Sequence, residues 1–219
     1  MKHLQNELFT TEKNKKDMKK LLIFDCDGVL YNSEKANLSY FMTCLEKAGY
    51  NSLSEELIPK VAYLSIRQLA SLLTDDVNEV DRIFQISQTI PYDPFISELE
   101  PYFDFEKELS LLKQKYYLAV ATNRGVSLNK LFKAFNLFDY FHYKVSTLDA
   151  EPKPSPDMLQ KCMKYFDVTV DESIFIGDAI TDREAAESIS MDFIMVGGNG
   201  RPILEVLEFF NELSFSNSI

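Results

Sequence analysis

Leu21–Leu30 reads LLIFDCDGVL, and the fold is decided there. Four apolar residues in a row end abruptly in Asp25, Cys26, Asp27 and Gly28. A continuous apolar run of this length, without alternation, predicts a strand covered on both faces of a parallel sheet. Ligand sites in such sheets form just past the carboxyl ends of the strands. Side chains two apart in a strand project the same way, so Asp25 and Asp27 can address one small volume. Two carboxylates that close repel each other unless a cation or a shared proton stands between them. The pair therefore suits Mg²⁺ and phosphate chemistry. Taken alone, the same residues also fit an acidic strand-to-turn cap, with Asp-Gly as turn punctuation.

Working outward, three later segments repeat the theme of a strand or loop that ends in small polar or charged residues ahead of a helix. Tyr116–Ala121 (YYLAVA) runs into Thr122, Asn123, Arg124 and Gly125. Lys153 lies in the proline-rich stretch EPKPSPD, Glu151–Asp157. Ser173–Gly177 (SIFIG) runs into Asp178, with Asp182 four residues on, in GDAITD. Taken in order, the four segments resemble the haloacid dehalogenase superfamily of phosphatases and phosphomutases, in its phosphoglycolate phosphatase and β-phosphoglucomutase-like branch. The resemblance covers Leu21 to about Leu213.

The rest of the chain is read as elements. Residues 1–17 are polar and lysine-rich; residues 1–20 carry a net +3, which leaves −14 on the remainder. They read as an extension, flexible or a short surface helix, with Met18 as an alternative start. Between Ser33 and Pro101 no strand pattern stands out. Helical spacing covers Ala36–Ala48, with Gly49 as a C-terminal stop, and further helices are expected at Glu55–Lys60, Ile66–Leu73 and Val77–Thr89. After Pro101 helices and strands alternate: helix Phe105–Lys115, strand Tyr116–Ala121, helix Ser127–Asn136 and strand His142–Ser146. A helix to about Phe166 follows, opened by Ser155 and Pro156. Strand Ser173–Gly177, helix Asp182–Ser190, strand Phe193–Val196 and helix Ile203–Leu213 complete the pattern. Such alternation implies an α/β fold, a Rossmann-like parallel sheet with helices on both faces. The resemblance adds a small inserted α-helical cap. The expected division is residues 1–17 as extension, 18–32 and 101–219 as core, and 33–100 as cap.

Bulk properties remove several function classes. The net charge of −11 argues against a nucleic-acid binder, which needs a basic patch. No apolar stretch reaches the length of a membrane span, and no signal peptide is visible. Cys26, Cys44 and Cys162 lack metal-ligand spacing and cannot all pair with one another, which fits a reducing cytoplasm. Only His3 and His142 occur, so a serine–histidine triad or a histidine-rich zinc site is not expected. No P-loop is present, and the GGNG run at Gly197–Gly200 reads as a loop. Chemistry must rest on carboxylates, a lysine and a metal.

The resemblance implies phosphoryl transfer through an aspartyl-phosphate. Asp25 is then the nucleophile and Asp27 the general acid and base. Mg²⁺ is the implied cofactor, held by Asp25, the main-chain carbonyl of Asp27, and Asp178. Lys153 supplies a second positive charge, and the Thr122 hydroxyl and Asn123 main-chain amide hold phosphate oxygens. Asp182 binds a metal-bound water or orients Lys153. An aspartate at position 27 favours phosphate esters or anhydrides, because the dehalogenase and phosphonatase branches typically lack it. The family pattern frays at Asn32, where an aspartate is common, and at Asn37, where sugar phosphomutases carry histidine. Arg183 stands where an aliphatic residue is usual, and a salt bridge is expected for it. Arg67 and Arg124 are candidate anion anchors, with a plain surface arginine as the alternative for each. The expectation is a Mg²⁺-dependent phosphatase acting on a small phosphorylated metabolite, as a monomer or a homodimer. A phosphosugar mutase and a non-catalytic regulatory or scaffolding member are the rivals. The aromatic-rich stretch from Tyr102 to Phe141 fits either core packing or a dimer contact.

Overall fold

A computed structural model describes residues 19–62, 65–198 and 200–212. The 1–17 extension, Met18 and Leu213 lie outside the described residues. Strand β1 (Leu21–Phe24) is wholly buried. A two-residue strand, β2 (Tyr31–Asn32), leads into helix α1 (Glu34–Lys47). Next come α2 (Ile66–Ser71), α3 (Val77–Thr89) and strand β3 (Glu100–Pro101), then α4 (Phe105–Lys113), β4 (Tyr117–Ala121), α5 (Leu128–Ala134) and β5 (Tyr143–Val145). Helix α6 (Asp157–Phe166), β6 (Ser173–Gly177), α7 (Ile180–Glu187), β7 (Asp192–Met195) and α8 (Ile203–Asn211) complete the described chain.

Five strands form one parallel sheet in the order β5-β4-β1-β6-β7. From β1 the chain builds outward through β4 and β5, then returns across the sheet to β6 and β7. That reversal leaves a crevice at the carboxyl ends of β1, β4 and β6, where open α/β sheets bind ligands. The continuous apolar run of β1 is explained by its place at the centre. Leu22 and Phe24 face a cluster with Leu109, Phe132, Leu207 and Phe210, from α4, α5 and α8. Leu21 and Ile23 face the opposite cluster, with Met158, Leu159, Cys162 and Ala185 from α6 and α7. Each fully buried leucine or isoleucine contributes about 1.5–3 kcal/mol relative to exposure.

The segment between β2 and β3 is helical and has its own small core, including Phe41, Leu45, Leu69, Val80 and Ile83. Helix α1 ends in a Schellman arrangement: Gly49, at φ +90°, donates to the Glu46 carbonyl, and Tyr50 donates to that of Leu45. Asn32 helps to start the same helix, its side-chain oxygen accepting from the Glu34 amide at 3.1 Å. Two expectations need correction here. The helix expected at Glu55–Lys60 is a turn followed by a 3-10 segment, Ile58–Ala62; Pro59, which has no amide hydrogen, does not favour a full α-helix there. The insertion also closes on a strand that periodicity could not reveal, because β3 is only two residues long and pairs antiparallel with β2.

Of the aromatic residues between Tyr102 and Phe141, Phe103, Phe105, Phe132 and Phe141 are buried in the core, while Tyr102 and Phe138 are exposed. No described helix is long and apolar enough to cross a membrane.

Candidate active site

Asp25 follows β1 directly, and its amide donates to the Ile176 carbonyl of β6 at 2.9 Å, which extends the parallel ladder by one residue. The carboxylate is therefore fixed at the mouth of the crevice. Lys153 reaches it from the loop after β5, with Nζ 2.9 Å from Asp25 Oδ1 and 2.5 Å from Asp182 Oδ1. All three side chains are removed from solvent. Burial disfavours the ammonium of Lys153, but Asp25 and Asp182 outweigh it and raise the lysine's pKa, so the charge stays.

The lysine is held from behind as well. The Asn123 side chain exchanges two hydrogen bonds with its main chain: Asn123 Nδ2 donates to the Lys153 carbonyl at 3.0 Å, and the Lys153 amide donates to Asn123 Oδ1 at 2.8 Å. Asn123 thus carries a second task beside the one expected of its main-chain amide. The Thr122 hydroxyl, buried next to it, accepts from the Arg124 amide at 3.2 Å and keeps its own proton to donate.

The helix expected over Asp182–Ser190 starts two residues earlier: α7 begins at Ile180. That places Asp182 in the third helical position, from which Oδ2 reaches back to accept from the Asp178 and Ala179 amides, each at 3.1 Å. The same carboxylate caps the helix and, through Oδ1, steers Lys153. Gly177 makes room for it, since a Cβ there would lie 2.5 Å from Asp182 Oδ2. The salt bridge expected for Arg183 is not formed among the described residues; the neighbouring Asp182 turns inward to Lys153 and its own helix start.

Asp25, Asp178 and Asp182 each offer a carboxylate oxygen within 4.8 Å of the others. Both oxygens of Asp182 are already engaged, so a cation here falls to Asp25 and Asp178. The backbone is shaped for this. Gly28 sits at φ +70°, and a Cβ on it would lie 1.8 Å from Asp178 Oδ2, so only glycine lets that carboxylate approach the first loop. Burial pushes the Asp25 carboxyl up, and Asp182 and Asp27 add to this against the pull of Lys153. Burial likewise pushes Asp178 up to about 7, with Asp25 and Asp182 contributing. A converging set of hard oxygen donors whose charges are undercompensated fits a divalent cation.

Asp27 turns away from this cluster. Arg124 Nε donates to Asp27 Oδ2 at 2.6 Å and Nη2 donates to Oδ1 at 2.5 Å. Burial alone would raise the Asp27 carboxyl, but the guanidinium outweighs it and holds the pKa below the usual value, with Ser33 helping. Arg124 is therefore no surface arginine: its side chain is 8% exposed, against 31% for that of Asp27. The guanidinium lies 4.6 Å over the Tyr92 ring, and Nη2 also donates to the Tyr92 hydroxyl at 3.3 Å. That hydroxyl in turn donates to Asn37 Oδ1 at 2.8 Å, and Asn37 Nδ2 donates to Ser33 Oγ at 3.2 Å. Asn37, Ser33 and Tyr92 thus tie the helical insertion to Arg124 and Asp27. Sequence reasoning missed Tyr92, for which no motif offers a signal. Arg67 is elsewhere occupied, paired with Asp81 and stacked 4.1 Å over Phe84, with its side chain half exposed.

Comparison with known proteins shows the family and the fold. The family model of haloacid dehalogenase-like hydrolases matches residues 22–196. A pyrophosphatase, PpaX, from Bacillus mycoides is 23% identical over 189 residues, 84% of this chain and 87% of its own. A subfamily IA hydrolase of the haloacid dehalogenase superfamily from Geobacter sulfurreducens superposes with a TM-score of 0.72 at 26% identity, covering 88% of this chain and 97% of that one. CbbY from Rhodobacter sphaeroides, solved in complex with phosphate, superposes at 0.66 with 18% identity, covering 82% and 87%, a likeness of fold.

Proposed function

The chain belongs to the haloacid dehalogenase-like hydrolase family, and from that premise we propose that it is a Mg²⁺-dependent phosphatase that hydrolyses a small phosphorylated metabolite through a phosphorylated Asp25. The observation that carries this reading is the lodging of Lys153 between Asp25 and Asp182 at the end of the central strand, with Asp178 within metal-sharing distance. A carboxylate that must approach a phosphate dianion needs convergent positive charge. Mg²⁺, held by Asp25, the Asp27 main-chain carbonyl and Asp178, supplies the larger part of it when bound.

In the first step an Asp25 oxygen attacks phosphorus in line, the bond to the leaving oxygen breaks, and Asp27, having left Arg124 and taken a proton from solvent, gives that proton to the leaving oxygen. In the second, water attacks the phosphorus of phospho-Asp25 while Asp27 takes its proton, which frees phosphate and restores Asp25. Lys153 and the Thr122 hydroxyl hold the phosphoryl oxygens throughout. Residues 18–32 and 101–219 form the catalytic core in this reading, and 33–100 the cap that shields the site and selects the substrate. The mutase alternative draws no support from Asn37, which has no proton to relay and is spent between Ser33 and Tyr92.

The test is phosphate release from p-nitrophenyl phosphate and a panel of metabolite phosphates, with and without Mg²⁺, beside Asp25→Asn. Metal-dependent release that drops by about a thousandfold or more in the variant is expected. No release from any ester or anhydride by well-folded protein with Mg²⁺ present would overturn the reading.

A further inference from the structure

The two steps above give Arg124 no part beyond releasing Asp27, yet it is among the most tightly held side chains of the site. Its guanidinium is buried, stacked on Tyr92, and in contact with one carboxylate, Asp27. Burying a guanidinium is costly unless an anion faces it. Both Asp27 oxygens accept from Arg124 in this arrangement, so the carboxylate is turned to the guanidinium and not to a leaving group beside Asp25. For Asp27 to reach substrate the pair has to part, and Arg124 then needs another anion in its slot.

The position of the slot says where that anion comes from. Asp27, as the residue that touches the leaving oxygen, marks the leaving-group side of the phosphoryl pocket. Arg124 is one hydrogen bond further out, between the Thr122 loop and Tyr92 of the helical insertion. A group one or two bonds beyond the leaving oxygen therefore falls within reach of the guanidinium. Its planar fork suits a phosphate or carboxylate bound through two nitrogens. Lys153 cannot serve in its place, because Asp25, Asp182 and, in the reaction proposed above, the transferring phosphoryl group take its three donors.

We infer that Arg124 is a specificity-determining residue that exchanges Asp27 for a second anionic group on the substrate, so that preferred substrates are phosphate esters or anhydrides whose short leaving group is itself an anion. The inference rests on the function proposed above, because it takes Asp27 as the residue that serves the leaving oxygen. Substrate entry and the release of Asp27 are then one event: an anionic leaving group draws Arg124 away from Asp27 and frees it for the reaction.

The test uses two non-hydrolysable probes, methylenediphosphonate with two anionic groups and methylphosphonate with one. Binding of each to the full chain in saturating Mg²⁺ is measured by calorimetry, so no turnover is needed. The diphosphonate should bind about tenfold or more tightly than the monophosphonate, the worth of one charge-assisted pair, and Arg124→Gln should abolish that preference. Asp27→Asn, which leaves the guanidinium in place and removes its competitor, should widen the preference several-fold, and the gain should vanish in the double variant. If Arg124→Gln fails to fold, Asp27→Asn decides alone. Equal affinities in the parent protein, a preference that survives Arg124→Gln, or one unchanged by Asp27→Asn would each overturn the inference. A protein that shows the Arg124-dependent preference but releases phosphate from no substrate would overturn the phosphatase reading instead.

Discussion

Lys153 and Arg124 each face carboxylates at the carboxyl end of the same sheet, but they are held in contrasting ways. Lys153 is enclosed by the sheet and its following loops: two carboxylates on its ammonium, Asn123 on its main chain, and side-chain exposures of 2% for the lysine, 10% for Asp25 and 0% for Asp182. Arg124 answers to one carboxylate that is 31% exposed; beside a 3.4 Å hydrogen bond to Ser127 Oγ in the core, it leads into the helical insertion through Tyr92 and Asn37. The first arrangement is built to stay fixed through a reaction. The second joins two parts of the chain, so it can change when they move. The difference teaches that a site can keep its charge-compensating element rigid and place its selective element at a seam.

The largest expected effect tests that contrast directly. Lys153→Met would leave Asp25 and Asp182 facing each other in a dry pocket, and should destabilise the fold by about 3–5 kcal/mol, the usual cost of breaking a buried ion pair from one side. Arg124→Met should cost only about 1–2 kcal/mol, because water reaches the partly exposed Asp27. Urea unfolding of both variants measures the gap. Equal losses would break the comparison.

A smaller effect is expected from Gly28→Ala. Its Cβ would displace the Asp178 carboxylate, and metal affinity should fall about 10- to 100-fold, in the range seen when ligand-orienting contacts are lost. Gly49→Ala sharpens the reading, since Gly49 also has a positive φ (+90°) but nothing within 4 Å of the added carbon. It should lose about 1–2 kcal/mol of stability to backbone strain and leave metal binding unchanged. Calorimetric titration with Mg²⁺ separates the two variants.

Proton and metal compete for the same oxygens, which gives a third expectation. Asp25 and Asp178 are pushed up by burial and by neighbouring carboxylates, Asp178 to about 7. The metal-free folded chain thus keeps protons that the unfolded chain releases near pH 4. Across that window the folded state binds more protons, so these two groups contribute less stability as pH rises towards 7. A bound cation displaces those protons, and its apparent affinity should fall by about tenfold per pH unit, for each proton displaced, as pH drops below 7. The rise in melting temperature on adding Mg²⁺ should accordingly be greater at pH 8 than at pH 6. A larger rise at pH 6 would mean that the carboxylates do not hold the ion.

Most of the enclosed region was legible in the sequence, and little of the seam was. β1 and β6 could be read because central parallel strands are apolar on both faces, and each ends in a short polar signature. Asp25 and Asp178 follow β1 and β6 directly, and Thr122 follows β4, so reading the strand ends singled them out; Lys153, in the loop after β5, and Asp182, within α7, were singled out by the family resemblance. The pairing of Asp27 with Arg124 spans 97 positions and depends on which way a long side chain turns, which no spacing encodes. Asn123 was expected to act through its amide; the clamp it forms on Lys153 needed the loop geometry. Tyr92 lies in an insertion with several other Tyr and Phe residues, where nothing marks one ring as the partner of a guanidinium.

Tyr92 supplies the finest test, because it is where the core and the insertion share a contact. Tyr92→Leu removes both the ring under Arg124 and the hydroxyl that reaches Asn37, and should cost about 1 kcal/mol. Tyr92→Phe keeps the ring and should lose roughly half as much. Combining Tyr92→Leu with Arg124→Gln in a double-mutant cycle isolates the coupling, expected at about 0.5–1 kcal/mol. A coupling near zero would mean that the ring merely fills space beside the guanidinium. A coupling of several kcal/mol would mean that Arg124 is anchored as firmly as Lys153, and the seam would then be too rigid to release Asp27. The intermediate value is the one a separable contact requires: strong enough to keep Arg124 in its slot, and weak enough to let Asp27 go.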